Sequence, residues 1–154
     1  MFTDKSESMA EYLSKSEFGA IGQGYRLFFL GLTYFNLGKT EKSFSFYYKA
    51  ISHAEESYFT QIKGMALNGL AEIYREQKKF EAAILNHSKA IESLDKIGAK
   101  CDLSEAYYQL GLTYQKMGDA QKSQENFDRA IQLFSEMEAL KQVEKVRRAM
   151  ESEG

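Results

Sequence analysis

The sequence predicts an all-α fold, a solenoid of three stacked helix–turn–helix units with a capping helix at each end. Three observations predict it. Apolar residues recur at the spacing of helical turns, and the same residue types return every 40 residues without an insertion or deletion. The 154-residue chain also contains no proline, as expected of long helices joined by short turns. A fixed period is typical of solenoids, in which each unit buries the apolar face of its neighbour.

The terminal segments are predicted to cap the stack. A first helix over Asp4–Ser16, or a disordered lead, precedes a loop over Phe18–Gly24, whose sequence FGAIGQG contains three glycines. The pattern divides the chain into an N-terminal cap and loop (1–23), three units (24–137) and a C-terminal cap (138–154).

The first and middle units are each predicted to be a helix pair. The first unit has helices over Tyr25–Leu37 and Thr40–Ser57, and Gly38 stops the earlier one. The middle unit has helices over Lys63–Gln77 and Phe80–Lys96. Only two residues separate these, so the helices must pack antiparallel. The apolar face of the earlier helix carries Leu67, Leu70, Ala71 and Tyr74.

The third unit repeats the pair, and a last helix follows it. Asp102 and Glu105 resemble a capping box at the start of its first helix, which ends at Gly118. Its second helix is predicted over Ala120–Met137. The last helix, Leu140–Met150, should expose its charged residues and turn three apolar residues inward, Leu140, Val143 and Val146.

Residues at equivalent positions carry a family resemblance. The aligned sets are Leu30, Leu70 and Leu110; Gly31, Ala71 and Gly111; Tyr34, Tyr74 and Tyr114; Ser43, Ala83 and Ser123; Ala50, Ala90 and Ala130; Ile51, Ile91 and Ile131. This Leu-small-x-x-Tyr core with two small residues seven apart resembles the tetratricopeptide repeat. The resemblance implies a right-handed superhelix. A period near 40 is also found in HEAT and armadillo units, but the Tyr pattern favours tetratricopeptide repeats. The run LNGLAEIYREQKKFEAA is similar to a kinesin-light-chain repeat.

Composition limits the classes of function. Hydrophobic residues make up 44% of the chain and charged residues 27%. No apolar run approaches the ~20 residues that span a membrane, and no secretion signal begins the sequence. A net charge of −2 gives no reason to expect nucleic acid. The single cysteine, Cys101, excludes an internal disulfide and fits a reducing cytoplasm.

No catalytic or cofactor-binding constellation is visible. His87 aligns with Tyr47 and Phe127, which predicts a packed core side chain. His53 has no partner at the spacing of metal ligands. Cys101 is expected in a turn without a nearby histidine. The sequence therefore predicts a non-enzymatic protein without a metal or cofactor.

The family resemblance implies a concave groove lined by the first helix of each unit. The groove positions correspond to these residues: Tyr25, Phe28, Leu32 and Phe35; Met65, Asn68, Glu72 and Arg75; Glu105, Tyr108, Leu112 and Gln115. Asn68 would offer its amide to a peptide backbone, and Arg75 would meet an acidic ligand side chain.

The groove points to a binding protein, an adaptor or scaffold for a protein or peptide ligand. The Lys, Arg and Asn clamp of chaperone-binding repeats is absent, because its places hold Phe28, Leu32, Gly69 and Gln109. A small chaperone for a secreted or unfolded partner is an alternative. A regulatory enzyme related to peptide-sensing bacterial phosphatases is a weaker one, because those enzymes carry an additional helical domain.

The first unit is unusually aromatic. Twelve of the 21 aromatic residues lie between Phe18 and Phe59. Either they form an aromatic core partly covered by the N-terminal helix, or some are exposed and form a partner site or a homodimer face. Tyr34, Phe44 and Tyr47 belong to the core by register. Phe28, Phe35, Phe46 and Tyr48 are not all explained in that way.

Overall fold

A computed structural model describes residues 2–15 and 19–152 of the chain. Within these ranges it contains eight α-helices and no strand: α1 (Phe2–Lys15), α2 (Ala20–Asn36), α3 (Thr40–Ser57), α4 (Thr60–Glu76), α5 (Phe80–Lys96), α6 (Lys100–Met117), α7 (Ala120–Glu136) and α8 (Leu140–Glu151). The predicted all-α solenoid is confirmed. Unit 1 is α2–α3, unit 2 is α4–α5 and unit 3 is α6–α7.

Short turns of one design join the helices from α2 to α8. In each turn one residue adopts the left-handed conformation, and the following backbone N–H bonds to a carbonyl five residues earlier, as Lys79 does to Tyr74 at 2.9 Å. This is the Schellman arrangement, which satisfies carbonyls at a helix end. The left-handed residues recur every 20 positions: Gly38, Tyr58, Lys78, Gly98, Gly118 and Glu138.

Each helix packs against the next one in the chain, and the first helices of neighbouring units also touch. The tightest packing is within the units, between α2 and α3, α4 and α5, and α6 and α7. Direct contacts also join α2 to α4 and α4 to α6. These three helices therefore lie side by side and form one face of the solenoid.

Large rings of the second helices fit against glycines of the first helices. A Cβ atom added to Gly31 would come within 2.6 Å of the Tyr47 ring, and one added to Gly69 within 2.4 Å. A Cβ on Gly111 would meet the Phe127 ring at 2.6 Å. All three distances are below van der Waals contact, so the small residues allow the helices to approach each other.

The terminal helices continue the same register. In α1, Ala10 and Leu13 are buried against Leu30 of unit 1, which makes α1 equivalent to the second helix of a preceding unit. α8 begins 40 residues after α6, at the place of a first helix. Its Val143 and Val146 are buried on unit 3. None of the helices in the described ranges is both long enough and apolar enough to cross a membrane.

Three predicted helix starts are wrong. The first helix of the middle unit, predicted from Lys63, begins at Thr60. The segment 20–24, expected in a loop, is the first turn and a half of α2, because Gly24 packs closely against Ile62 of α4. Phe18 and Ser16 lie outside the described residues. Asp102 and Glu105 form no capping box, since α6 begins earlier, at Lys100, without a side-chain cap.

Two side chains are also placed differently from the prediction. Cys101 lies in the first turn of α6 and is exposed, rather than in a connecting turn. Leu140, expected to face inward, is 73% exposed at the start of α8. It lies before the first buried residue of that helix, Val143, and therefore extends beyond the apolar contact with unit 3.

Candidate functional site

A cavity of about 210 Å³ opens on the face that α2, α4 and α6 form. Six of the twelve predicted groove residues line it: Phe28, Leu32, Met65, Asn68, Glu72 and Glu105. Tyr47, Gly69, Leu94 and Asp102 complete the lining. The structure thus brings half of the predicted site together around one space, and we call it the central cavity.

One wall of the central cavity is apolar. Phe28 and Leu32 come from α2, and the Phe28 ring packs against the Tyr47 ring with 5.9 Å between the ring centres. Met65 of α4 adds a flexible thioether side chain. These groups can take up an aliphatic or aromatic side chain of a ligand.

The opposite wall carries three carboxylates. Asp102 accepts a hydrogen bond from Gln61 at 2.7 Å, and Glu105 accepts one from Gln109 at 2.9 Å. Within residues 2–15 and 19–152, the Glu72 carboxylate has neither a hydrogen bond nor an ion pair. Glu72 is therefore the carboxylate of this wall that is free to receive a donor.

The surroundings of Glu72 disfavour its charge. Burial against the apolar wall raises the pKa of Glu72 to about 7, although the nearby Arg75 guanidinium acts in the opposite direction. Glu105 adds a smaller repulsion. A cation placed in the central cavity would favour the charged form of Glu72, because it would add to the countercharge that Arg75 and Lys145 supply.

Asn68 belongs to a buried polar chain that crosses from unit 2 to unit 3. His87 Nδ1 donates to Asn68 Oδ1 at 2.7 Å, and His87 Nε2 accepts from Thr113 Oγ1 at 2.9 Å. His87 is fully buried, which confirms the predicted core position. Burial, together with the charge of Arg75, lowers the pKa of His87 to about 3, so the imidazole stays neutral.

Arg75 points between α4 and α6. Its Nη1 donates to the Gln109 carbonyl at 3.0 Å, and its Nη2 donates to Gln109 Oε1 at 2.9 Å. Only 7% of the residue is exposed, and it does not line the central cavity. Arg75 thus joins two helices, and a contact with an acidic ligand would require these bonds to break.

A second, more open cavity of about 800 Å³ lies between α6 and α8, and we call it the terminal cavity. The predicted groove residues Tyr108 and Leu112 line it, with the exposed Leu140. The remaining lining is mainly charged: Lys141, Glu144, Lys145, Arg148, Ala149 and Ser152.

The terminal cavity contains groove residues that the sequence prediction missed. The predicted groove positions, continued by one more period from unit 3, fall on Lys145, Arg148 and Ser152. All three line the terminal cavity. The 40-residue period already placed these three residues at groove positions. They were missed because α8 was interpreted only as a capping helix.

Lys145 connects the two cavities. Its Nζ lies 3.8 Å from Glu105 Oε1 of the central cavity and 4.7 Å from the centre of the Tyr108 ring. The acidic wall of one cavity therefore continues directly into the basic wall of the other. Arg148 pairs with Glu144 on its own helix, with Nε 3.4 Å from Oε1.

The three remaining predicted groove residues lie at the edges of this face. Tyr25 stacks on Phe29, with ring centres 6.3 Å apart. Phe35 is half-buried against the core of unit 1. Gln115 Nε2 donates to the Ala149 carbonyl at 2.8 Å and so holds α8 in place.

The aromatic residues of unit 1 divide into buried and exposed groups. Phe28, Phe35, Phe44 and Phe46 pack partly buried against the core, and α1 covers part of Tyr34 and Phe46. Phe29 and Tyr48 are exposed, and Tyr58 is 90% exposed. Part of the aromatic cluster therefore belongs to the core, and part of it is exposed.

The described ranges contain no group of three or more His, Cys, Asp or Glu side chains placed to hold a metal ion. The three carboxylates of the central cavity thus line one space without converging on one point. Their arrangement suits a donor-bearing organic group better than a bare cation.

Comparisons with known proteins agree with this architecture. Tetratricopeptide repeat models match residues 25–96 and 104–136. No curated protein matches the sequence. Aspartyl phosphate phosphatase F from Bacillus subtilis has a similar structure, with a TM-score of 0.76 and 19% identity over 94% of this chain. BtubC (BKLC) from P. vanneervenii also has a similar structure, with a TM-score of 0.68 and 18% sequence identity over 97% of this chain.

These structural likenesses concern the fold. The chain covers 38% of the phosphatase and 75% of BtubC, and the identities are too low to carry an activity across. The repeat models cover both halves of the solenoid, including all three units. The chain belongs to the tetratricopeptide repeat family.

Proposed function

We propose that this chain, a member of a family of protein-interaction repeats, binds an extended peptide segment of a partner protein along the face of α2, α4 and α6. One observation carries the proposal: predicted groove residues from all three helices line a single cavity. Tetratricopeptide repeats are generally non-catalytic, and we propose an adaptor or scaffold rather than an enzyme.

The ligand side chains and backbone have separate contacts in this proposal. The apolar wall of Phe28, Leu32 and Met65 takes up an apolar group. Asn68 has its Oδ1 occupied by His87, so its Nδ2 is the group that would donate to a peptide carbonyl. A half-apolar cavity with a few polar groups is typical of a specific binding site.

A random peptide library displayed on phage tests this function. The full chain should enrich a shared motif, and Leu32→Arg should weaken the enriched peptides by about 100-fold because it fills the cavity with a charged side chain. Leu85→Arg is the matched control, since Leu85 is 54% exposed on α5 outside the cavity. Equal weakening by both variants, or no enriched motif, would contradict the proposal.

Self-association through unit 1 is a second candidate function. Ile21, Tyr58 and Ile97 are exposed around a shallow cavity of about 340 Å³ that also contains Tyr25 and Phe59. Exposed apolar groups of this kind favour a protein contact. Light scattering of the wild type and Tyr58→Ser tests it: a dimer that the substitution dissociates supports this function, and a monomer in both cases excludes it.

The chaperone and phosphatase-related alternatives have no comparable support in the geometry. The central cavity is narrow and polar on one side, whereas capture of an unfolded chain favours a broad apolar surface. The part of the phosphatase that this chain covers is a minority of its length. We place the binding protein in a reducing cytoplasm, with which the exposed thiol of Cys101 is compatible.

A further inference from the structure

We propose that the bound peptide has a fixed charge order: a lysine or arginine enters the central cavity, and an acidic residue about three positions away lies in the terminal cavity. This inference rests on the proposed function and deepens it, because it names the chemistry of the ligand.

The central cavity suits a long basic side chain. Its apolar wall, from Phe28 and Leu32, can pack against the methylene stem of a lysine or arginine. Its acidic wall then faces the charged end, and Glu72 has no partner among the described residues. The lining contains three carboxylates and no basic side chain, so a ligand cation would meet more attraction from the lining than repulsion from the nearby Arg75 and Lys145.

The terminal cavity has the opposite charge. Lys141, Lys145 and Arg148 line it against the single carboxylate of Glu144. Lys141 has no ion pair within the described part of the chain, and it lies beside the exposed Leu140. An acidic ligand side chain would therefore be held by lysine over an apolar floor.

The spacing follows from the helix packing. The cavities are separated by one helix, α6, and are linked by the pair Glu105–Lys145. Packed helices lie about 8–10 Å apart, and an extended peptide advances about 3.3 Å per residue. The basic and acidic ligand residues are therefore about three positions apart.

Fixed-charge peptide arrays test the charge order directly. The probes are randomised nine-residue peptides with Lys and Glu three positions apart, in both orders, and matched sets with Gln in place of either residue. We expect the paired set in one of the two orders to bind the full chain about tenfold more tightly than the other order and than either single-charge set. Equal binding of all sets, with Leu32→Arg still abolishing it, would overturn the charge order and leave peptide binding intact. No binding by any set would count against both.

Charge-changing substitutions test which cavity binds the basic ligand residue and which binds the acidic one. Glu72→Gln should remove the preference for Lys and keep the preference for Glu, whereas Lys141→Glu should do the reverse. Glu92→Gln and Lys89→Glu, on the exposed side of α5, are the matched controls and should change neither. Loss of both preferences in one variant would contradict the assignment of the two cavities.

Proton binding by Glu72 provides an independent readout. The charged groups facing it are Arg75 and Glu76 on α4, Glu105 on α6 and Lys145 on α8. The lysine-containing probes should bind about tenfold more tightly at pH 8 than at pH 6, and Glu72→Gln should flatten this change. A pH dependence that survives Glu72→Gln would exclude Glu72 as the group that receives the cation.

Discussion

Equivalent positions on the second helices of the three units hold three different rings, those of Tyr47, His87 and Phe127. Each ring packs against a small residue of a first helix. Tyr47 lies against Gly31 and Gly69, whereas Phe127 lies against Gly111. The middle ring is His87, which is smaller and faces Ala71 by register, and it uses both nitrogens in hydrogen bonds. Ring size and partner size have therefore changed together.

Substitution of His87 should show that its size is matched to that of Ala71. His87→Phe should lower the free energy of unfolding by about 2–4 kcal/mol, because it overpacks the contact with Ala71 and leaves Asn68 without its donor. Adding Ala71→Gly should recover part of the loss. Urea unfolding of the double-mutant cycle measures the coupling, with Ala71→Gly alone as the control. Purely additive effects would show that the two positions are independent.

Two ionisable groups with shifted pKa values, Glu72 and His87, should give opposite pH dependences of stability. The pKa of Glu72 is raised from 4.5 to about 7, so its contribution is fully present below pH 4.5 and is lost as pH rises through 7. The pKa of His87 is lowered from 6.5 to about 3. Its contribution is present above pH 6.5 and is lost as pH falls towards 3.

A variant separates the two groups. Glu72→Gln should match the wild type near pH 4 and should be more stable by on the order of 2 kcal/mol near pH 8, since it avoids burying a charge. Urea unfolding across this range measures the difference, and the exposed Glu92→Gln is the control. A constant difference at all pH values would mean that the Glu72 carboxyl titrates normally.

At the scale of the elements, the turns are uniform in backbone but not in sequence. Three of the six left-handed positions are glycine, and the other three are Tyr58, Lys78 and Glu138. Side chains with a Cβ are strained by about 1 kcal/mol in this conformation. Tyr58, Lys78 and Glu138 therefore make the fold less stable than glycine would at the same positions.

Substitutions at these turns should have opposite signs. Lys78→Gly should raise the free energy of unfolding by about 0.5–1 kcal/mol, and Gly38→Ala should lower it by about 1 kcal/mol. Thermal unfolding of the two variants and the wild type measures both effects. Stabilisation by Gly38→Ala would show that the left-handed turn is not retained.

The helices could be predicted more fully than the groove contacts. The 40-residue period fixes where α3, α5 and α7 begin. The sequence pattern places the starts of α2, α4 and α6 too late, although the observed starts also lie 40 residues apart, at Ala20, Thr60 and Lys100. In α2, the glycines around Gly22 hide the first turn. The internal bonds of Asn68 and Arg75 depend on Thr113 and Gln109 of the next unit, and no periodicity predicts side-chain pairing across units.

At the scale of the whole molecule, the ends of the stack have fewer neighbours than its middle. α1 packs on α2, and α8 packs on α7, whereas α4 contacts α2, α3, α5 and α6. In solenoids, stability comes from intrinsic terms and nearest-neighbour interfaces. The two terminal helices are therefore the parts that open most easily.

Hydrogen exchange followed by mass spectrometry should show this gradient. Amides of α1 and α8 should exchange first and those of α4 and α5 last, by about two orders of magnitude or more. Leu13→Ala, which removes a buried contact of α1, should speed exchange in α1 and leave α5 unchanged. Uniform exchange along the chain would mean that the solenoid opens as one cooperative unit.

The matched rings also restrict how such a chain can be recombined. If unit 3 directly followed unit 1, Gln109 would take the place of Gly69 and its side chain would collide with Tyr47. If unit 2 were duplicated in tandem, Ile73 would stand where Thr113 bonds His87, and a buried imidazole nitrogen would lose its donor. The three repeats share one residue pattern but are not interchangeable modules. Insertion, deletion or exchange of a whole repeat would require compensating substitutions at its borders.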